Sequence, residues 1–364
     1  DQFFDTFDKF DIAGNGHVGD MLAEVASRAA SQNISYLELM LGPGRAHEFG
    51  LASRLGDTHD FATMRDKLLA LGLRDSLAIS KRDLDAAESK QKQLLKCASP
   101  DQDQGCKVTI RFLYQVLRGL DPKLVFGQFL TGFEMARYDH RWVGLNMVMP
   151  EDGLVSMRDF RLHMQMIDFL HNLYPEVKIT LHAGELAEGL VPPEGLRFHI
   201  RESVERGHAL RIGHGTDIMH EDNAGDLLRE MAAKRIPVEI SLSSSDVILG
   251  IKGDNHPLRT YLESGVPVVL ATDDEGVSRT TLTTEYRRAV QEQSLDYPTL
   301  KRIVRNSIVF SFAEDSVKSR LTREIDDAFR KFESRQRVSR SKQMTYTTVV
   351  EERRYLPLRS DSTT

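Results

Sequence analysis

Seven short runs of apolar and β-branched residues recur along the chain, each closed by a polar or glycine-rich turn, and their spacing constrains the fold more than any other feature. They are Ile34 to Met40, Val108 to Leu113, Trp142 to Met149, Val177 to Leu181, Leu210 to Gly213, Pro237 to Leu242 and Val266 to Ala271. After a first interval of 74 residues, successive starts lie 27 to 35 residues apart. That is the length of one strand, loop, helix, loop unit. Between the runs, Met21, Leu22, Val25, Ala26 and Ala29 share one helical face, as do Phe160, Met164, Ile167 and His171. The alternation predicts an α/β fold in which helices cover a parallel sheet. Seven strands suit either an open doubly wound sheet or a TIM (β/α)8 barrel with one strand unaccounted for. The long first interval holds a polar, lysine-rich helix from Lys81 to Lys96 and leaves room for a helical insertion.

At 364 residues, 40% apolar and 28% charged, the chain can bury a sizeable core. Its net charge of 48 − 54 = −6 gives no general basic field for nucleic acid or acidic lipid. No run of about 18 apolar residues predicts a membrane span. There is no signal peptide, but the first residue is Asp1, so this says little about the full gene product. Oligomeric state is not legible. After Leu321 the pattern changes: a charged helix, Thr322 to Arg335, gives way to a stretch with no clear period, Arg337 to Thr364. The reading is an α/β domain over 1–321 and, over 322–364, a charged helix with a mobile tail.

In α/β folds the chemistry collects beyond the carboxyl ends of the strands. Here those ends read His182-Ala183-Gly184-Glu185, His214-Gly215, Ser243-Ser244-Ser245-Asp246 and Thr272-Asp273-Asp274. Taken singly, each has a plain structural explanation. A histidine after a strand commonly serves as a hydrogen-bonding group, a serine run as a turn and an acidic pair as a helix cap. Four strands placing His, Glu, His and Asp at one end is harder to explain by capping. A metal site with an acid/base carboxylate requires that set.

LHAGE (Leu181 to Glu185), RIGHG (Arg211 to Gly215) and ATDDEGV (Ala271 to Val277), followed by TTLTTEY (Thr280 to Tyr286) and NSIVFSF (Asn306 to Phe312), resemble the adenosine deaminase family in the same order. FFDTFDKF (Phe3 to Phe10) and YLELMLGP (Tyr36 to Pro43) do so too, and the likeness runs from about Phe3 to Leu321. The resemblance implies a TIM barrel and one Zn2+ per complete chain. It also implies hydrolytic deamination of adenosine, or a related aminopurine nucleoside, to inosine and ammonia. By position, His182 and Asp273 would ligate zinc, Glu185 would protonate N1, His214 would orient the attacking water, and Asp274 would bond N7. Gly184 and Met149 would complete the purine site. The chemistry is coherent, because attack on an aromatic amine needs both a strong nucleophile and a proton for the ring nitrogen.

The sequence departs from the family in three places. The His-x-His pair that ends the family's first strand is absent, which predicts a chain lacking that strand and holding zinc weakly; His17 is the nearest substitute. Met149 stands where the family has a glycine, and its side chain takes space a glycine leaves empty. Ser245-Asp246 replaces the usual Ser-Asn. Two rival readings follow, a catalytically inactive barrel that binds or signals, and a deaminase of adenine or another aminopurine.

Gly14, Gly16 and Gly19 match a dinucleotide fingerprint with Glu38 about 20 residues on, but no strand leads into them. Phe3, Phe7 and Phe10 have helical spacing instead, as an apolar lid near the pocket mouth or as ordinary core. Cys97 and Cys106 are the only cysteines. Bracketing one polar loop, they suggest either a small disulfide or two reduced thiols, with export from the cytoplasm slightly favoured.

Overall fold

The computed structural model describes residues 3–14 and 16–354. It divides into two compact units, Asp1–Ala313 and Glu314–Thr364. In the first, all seven expected strands form: β1 (Tyr36–Leu41), β2 (Thr109–Leu117), β3 (Trp142–Val148), β4 (Thr180–Ala183), β5 (Arg211–His214), β6 (Val238–Ile240) and β7 (Val268–Leu270). Every pairing is parallel, and each strand lies beside the next in sequence; a bridge from Leu145 to Ile179 joins β3 to β4. This order decides between the two architectures. A doubly wound sheet reverses its strand order at a switch point, and none occurs here. Moreover, Arg211 of β5 reaches Glu38 of β1 at 2.6 Å. Four strand spacings in a flat sheet would separate them by about 19 Å, so the sheet curls into a barrel. Among the described residues, β7 and β1 share no ladder.

The barrel floor is ionic. Arg211 also pairs with Glu239 of β6 at 2.5 Å and lies over the Phe312 ring at 3.8 Å, while the Phe312 amide donates to Glu38. Glu38 is thus a floor residue, not a ribose ligand. The fingerprint glycines have an equally plain role, since Gly14 ends a helix (Asp5–Gly14) and Gly19 packs close. A Cβ on Gly19 would lie 2.6 Å from Lys90 Cβ and 2.8 Å from the Ala87 carbonyl. The helices Val18–Ser31 and Leu73–Leu94 therefore approach closely only because residue 19 has no side chain.

Several boundaries differ from the sequence reading. The lysine-rich helix runs Leu73–Leu94, starting after a left-handed Gly72, so it is longer than Lys81 to Lys96. In Val18–Ser31 the buried face is Leu22, Ala23, Ala26 and Ala29; Met21 is exposed. Ser243 to Ser245 open the helix Leu242–Leu249 rather than forming a turn. The second unit consists of one charged helix, Asp315–Arg354, supported by i,i+4 pairs such as Arg320–Glu324. The helix takes in both the expected Thr322 to Arg335 element and much of the segment read as a tail, of which 355–364 lie outside the described residues. No helix among the described residues is long and apolar enough to cross a membrane. Cys97 and Cys106 are joined in a disulfide nine residues apart.

Phe160, Met164, Met166 and Ile167 of the helix Leu154–Leu173 are fully buried in the main core, and His163 lies among them. Neither of its ring nitrogens has a hydrogen-bond partner. Burial, aided by Arg118, lowers its pKa to about 4. The unfolded chain takes up a proton near pH 6.5, so stability present above that pH is lost as the pH falls toward 4. His163→Leu is expected to remove this loss, gaining about 2 kcal/mol on wild type between pH 7 and pH 4.5. Urea unfolding of both proteins at the two pH values checks it, and parallel declines would refute it.

Candidate active site

The parallel register carries β4 two residues and β5 one residue further than the sequence suggested, so His182 and His214 lie within strands rather than following them. His182 lies on β4 with its ring 4.9 Å from that of His214. The Asn146 side-chain oxygen, one strand away on β3, accepts from both the His182 amide (3.1 Å) and its Nδ1 (3.0 Å). That bond puts the proton on Nδ1 and leaves the Nε2 lone pair free, the usual arrangement of a metal-ligating imidazole. Burial, with His214 adding, lowers the His182 pKa to about 3, so the ring is neutral.

His214 and Asp273 both sit on left-handed backbone, at φ +67° and +54°. Strained angles of this kind persist only where the surroundings impose them. Asp273 is fixed by the Ser244 hydroxyl, which donates to its Oδ2 at 2.6 Å. The donor atoms of His182, His214 and Asp273 all lie within 4.8 Å of one another. Two imidazoles and an anchored carboxylate, one ring with its tautomer set, offer the nitrogen and oxygen donors that a divalent cation takes.

Glu185 lies against this group, its Oε1 3.5 Å from His214 Nδ1. Burial raises its pKa to about 7; His214 opposes the shift, while Asp273 and Glu151 reinforce it. Asp274 is raised to about 7 as well, by burial and then by Asp273. It occupies the cap position of the helix Glu275–Ser278 yet makes no side-chain cap bond, so capping does not explain it. Asp246 does not join the group. Its carboxylate pairs with Arg288 at 2.9 Å and Lys252 at 3.1 Å, which accounts for an acid where the family has an amide. His17 is exposed, 3.3 Å from Asp20 at the start of its helix, and takes no part.

Met149 has φ +89°, an angle that favours glycine. Its sulfur accepts from the Gly119 amide at 3.3 Å, and its carbonyl accepts from Arg118 Nε at 3.0 Å. The side chain is therefore folded against Gly119, where a Cβ would lie 2.8 Å from the Met149 methyl. Gly184, at φ +76°, turns its N–H to Glu151 and its carbonyl to the Thr216 and Asp217 amides. Any side chain there would meet Asp217 Oδ1 at 2.4 Å. Asn146, Ser244, Glu151 and Arg118 are the site's supporting residues that motif reading misses. Only Asn146, a polar residue inside a buried strand, leaves a trace in the sequence.

The adenosine deaminase family model matches residues 3–328. Among curated proteins, the chain is 30% identical over 166 residues to an adenosine deaminase of Clostridium acetobutylicum, covering 45% of this chain and 46% of that one. It is 28% identical over 306 residues to the N6-mAMP deaminase of Arabidopsis thaliana, covering 84% and 76% respectively. The chain thus spans less than half the length of the Clostridium relative. Among solved structures, the apo N6-methyl-AMP deaminase of Arabidopsis thaliana superposes with a TM-score of 0.63 at 24% identity, over 90% of this chain and 83% of that one. With the ordered motifs converging at one end of a parallel barrel and the family model matching nearly the whole chain, this protein belongs to the adenosine deaminase family.

Proposed function

We propose that this chain is a zinc-dependent aminohydrolase that removes the exocyclic amino group of adenosine or a closely related aminopurine. The observation that carries the reading is a buried carboxyl held near neutrality, Glu185, set against a converging His182, His214 and Asp273. His182 and Asp273 would hold the ion, and when bound it would supply Lewis-acid polarisation and a water that ionises near neutral pH. Glu185 would give its proton to N1 of the ring, relieving the charge that attack at C6 builds there. His214, beside Glu185, would orient the attacking water. Asp274 would donate to N7 as the protonated acid. Gly184 would act through its shape, letting the backbone turn so that Glu185 faces the substrate. Met149 would border the purine on the remaining side.

The curated relatives act on two substrates by name, adenosine and N6-mAMP, and Met149 favours a purine presented differently from that of the glycine-bearing members. The test is the ultraviolet change on deamination, run with zinc supplied, on adenosine, N6-methyl-AMP and adenine in parallel. No turnover of any of them would favour the inactive, binding barrel. The family's His-x-His pair is not in this sequence, so zinc content is measured first. Asn146→Leu is expected to weaken zinc binding by about 10- to 100-fold, because it frees the His182 ring to change tautomer and direction. Competition with a chromophoric chelator reads this, and unchanged affinity would refute it.

The Cys97–Cys106 bond supports an oxidising compartment outside the cytoplasm. Two titratable thiols in unreduced protein would overturn that part of the reading.

A further inference from the structure

We propose that Glu151 is a positioning residue whose carboxylate clamps the two successive backbone N–H groups that aim Glu185. The proposal rests on the reading of Glu185 as the proton donor. Glu151 Oε1 accepts from the Gly184 amide at 3.0 Å and from His199 Nδ1 at 2.5 Å; Oε2 accepts from the Glu185 amide at 2.9 Å. The side chain is fully buried, with Arg118 Nη2 3.8 Å away as its countercharge. A carboxylate so placed closes the strand-to-loop turn like a staple, fixing two consecutive peptide planes and hence the direction in which the Glu185 side chain leaves the backbone.

The same network reaches the metal side of the site. Arg118 donates to the carbonyl of His182 at 3.3 Å and to that of Met149 at 3.0 Å. One buried ion pair therefore ties together the ends of β3 and β4. His199 completes it. Its ring stacks on Phe160 at 3.8 Å and its Nδ1–H donates to Glu151, which holds the carboxylate from a third side.

Glu151→Gln tests the clamp. The amide offers one acceptor oxygen, so one of the two backbone N–H groups would face a donor. We expect kcat to fall about 100-fold, the cost of displacing a reacting group by about 1 Å, with KM and zinc content little changed. Amide exchange at Gly184 and Glu185 should quicken by about tenfold or more while the barrel strands keep their protection. Should that variant fail to fold, Glu151→Asp retains the charge beside Arg118 but draws the carboxylate back by one methylene, and the same results are expected. His199→Asn, whose side-chain N–H can replace Nδ1–H, should keep most of the turnover; His199→Leu should not. Native protection of the two amides, or fast exchange with wild-type kcat, overturns the proposal. A wild-type protein inactive on every aminopurine instead overturns the functional reading, and the exchange data then decide on the clamp alone.

Discussion

Replacing Glu185 by glutamine is expected to lower aminopurine turnover by about 100- to 10,000-fold while leaving zinc content and the unfolding transition unchanged. Glutamine keeps the volume and one acceptor but has no proton to release. In wild type, burial lifts the carboxyl to about pKa 7, so near neutral pH a large fraction holds the proton that ring attack requires. His214, 3.5 Å away, pulls the other way, and the balance places the group where it can both give a proton and regain it. The check is kcat of zinc-supplied wild type and variant on the better substrate, with metal analysis of both. Turnover like that of wild type would remove Glu185 from the chemistry, and a coincident loss of zinc would make it a ligand.

Asp273→Ala should cost more zinc affinity than any loss of a supporting residue, beyond the roughly 100-fold upper range typical of outer-shell partners. It is the only carboxylate of the three converging donors, and the only one whose charge opposes that of a cation directly. Ser244 and the left-handed backbone at φ +54° hold it in place before any ion arrives. Asp274→Ala supplies the contrast, since it leaves the donor set intact but removes the group that would donate to N7, and should raise KM without loss of metal. Chelator competition on both variants separates the roles. Equal zinc affinity in wild type and Asp273→Ala would mean that the ion, if bound, sits elsewhere.

Much of the barrel was legible in the chain because a parallel strand buried on both faces tends to be continuously apolar, and Val266 to Ala271 is. The motif residues were legible too, since His182, Glu185, His214, Asp273 and Asp274 stand at the strand ends where chemistry collects. Their supports were not. Glu151 is 34 residues from Glu185, Ser244 is 29 from Asp273 and Arg118 is 64 from His182, separations that no local pattern encodes. Met149 could be named as a departure from the family, but not the left-handed angle that folds it onto Gly119.

The sequence by itself determined the alternation of strand and helix, the order of the strands along the chain and the chemistry offered at their ends. Those follow from periodicity and residue type, which are local properties. Only the tertiary structure decided between an open sheet and a barrel, through a contact from β1 to β5 that a flat sheet could not make. It also decided which polar residues share a site, releasing Asp246 to Arg288 and recruiting Asn146 and Glu151. The physical reason is the same in both cases. A buried donor or acceptor must find its partner in space, and closing the barrel is what brings those partners within hydrogen-bond reach.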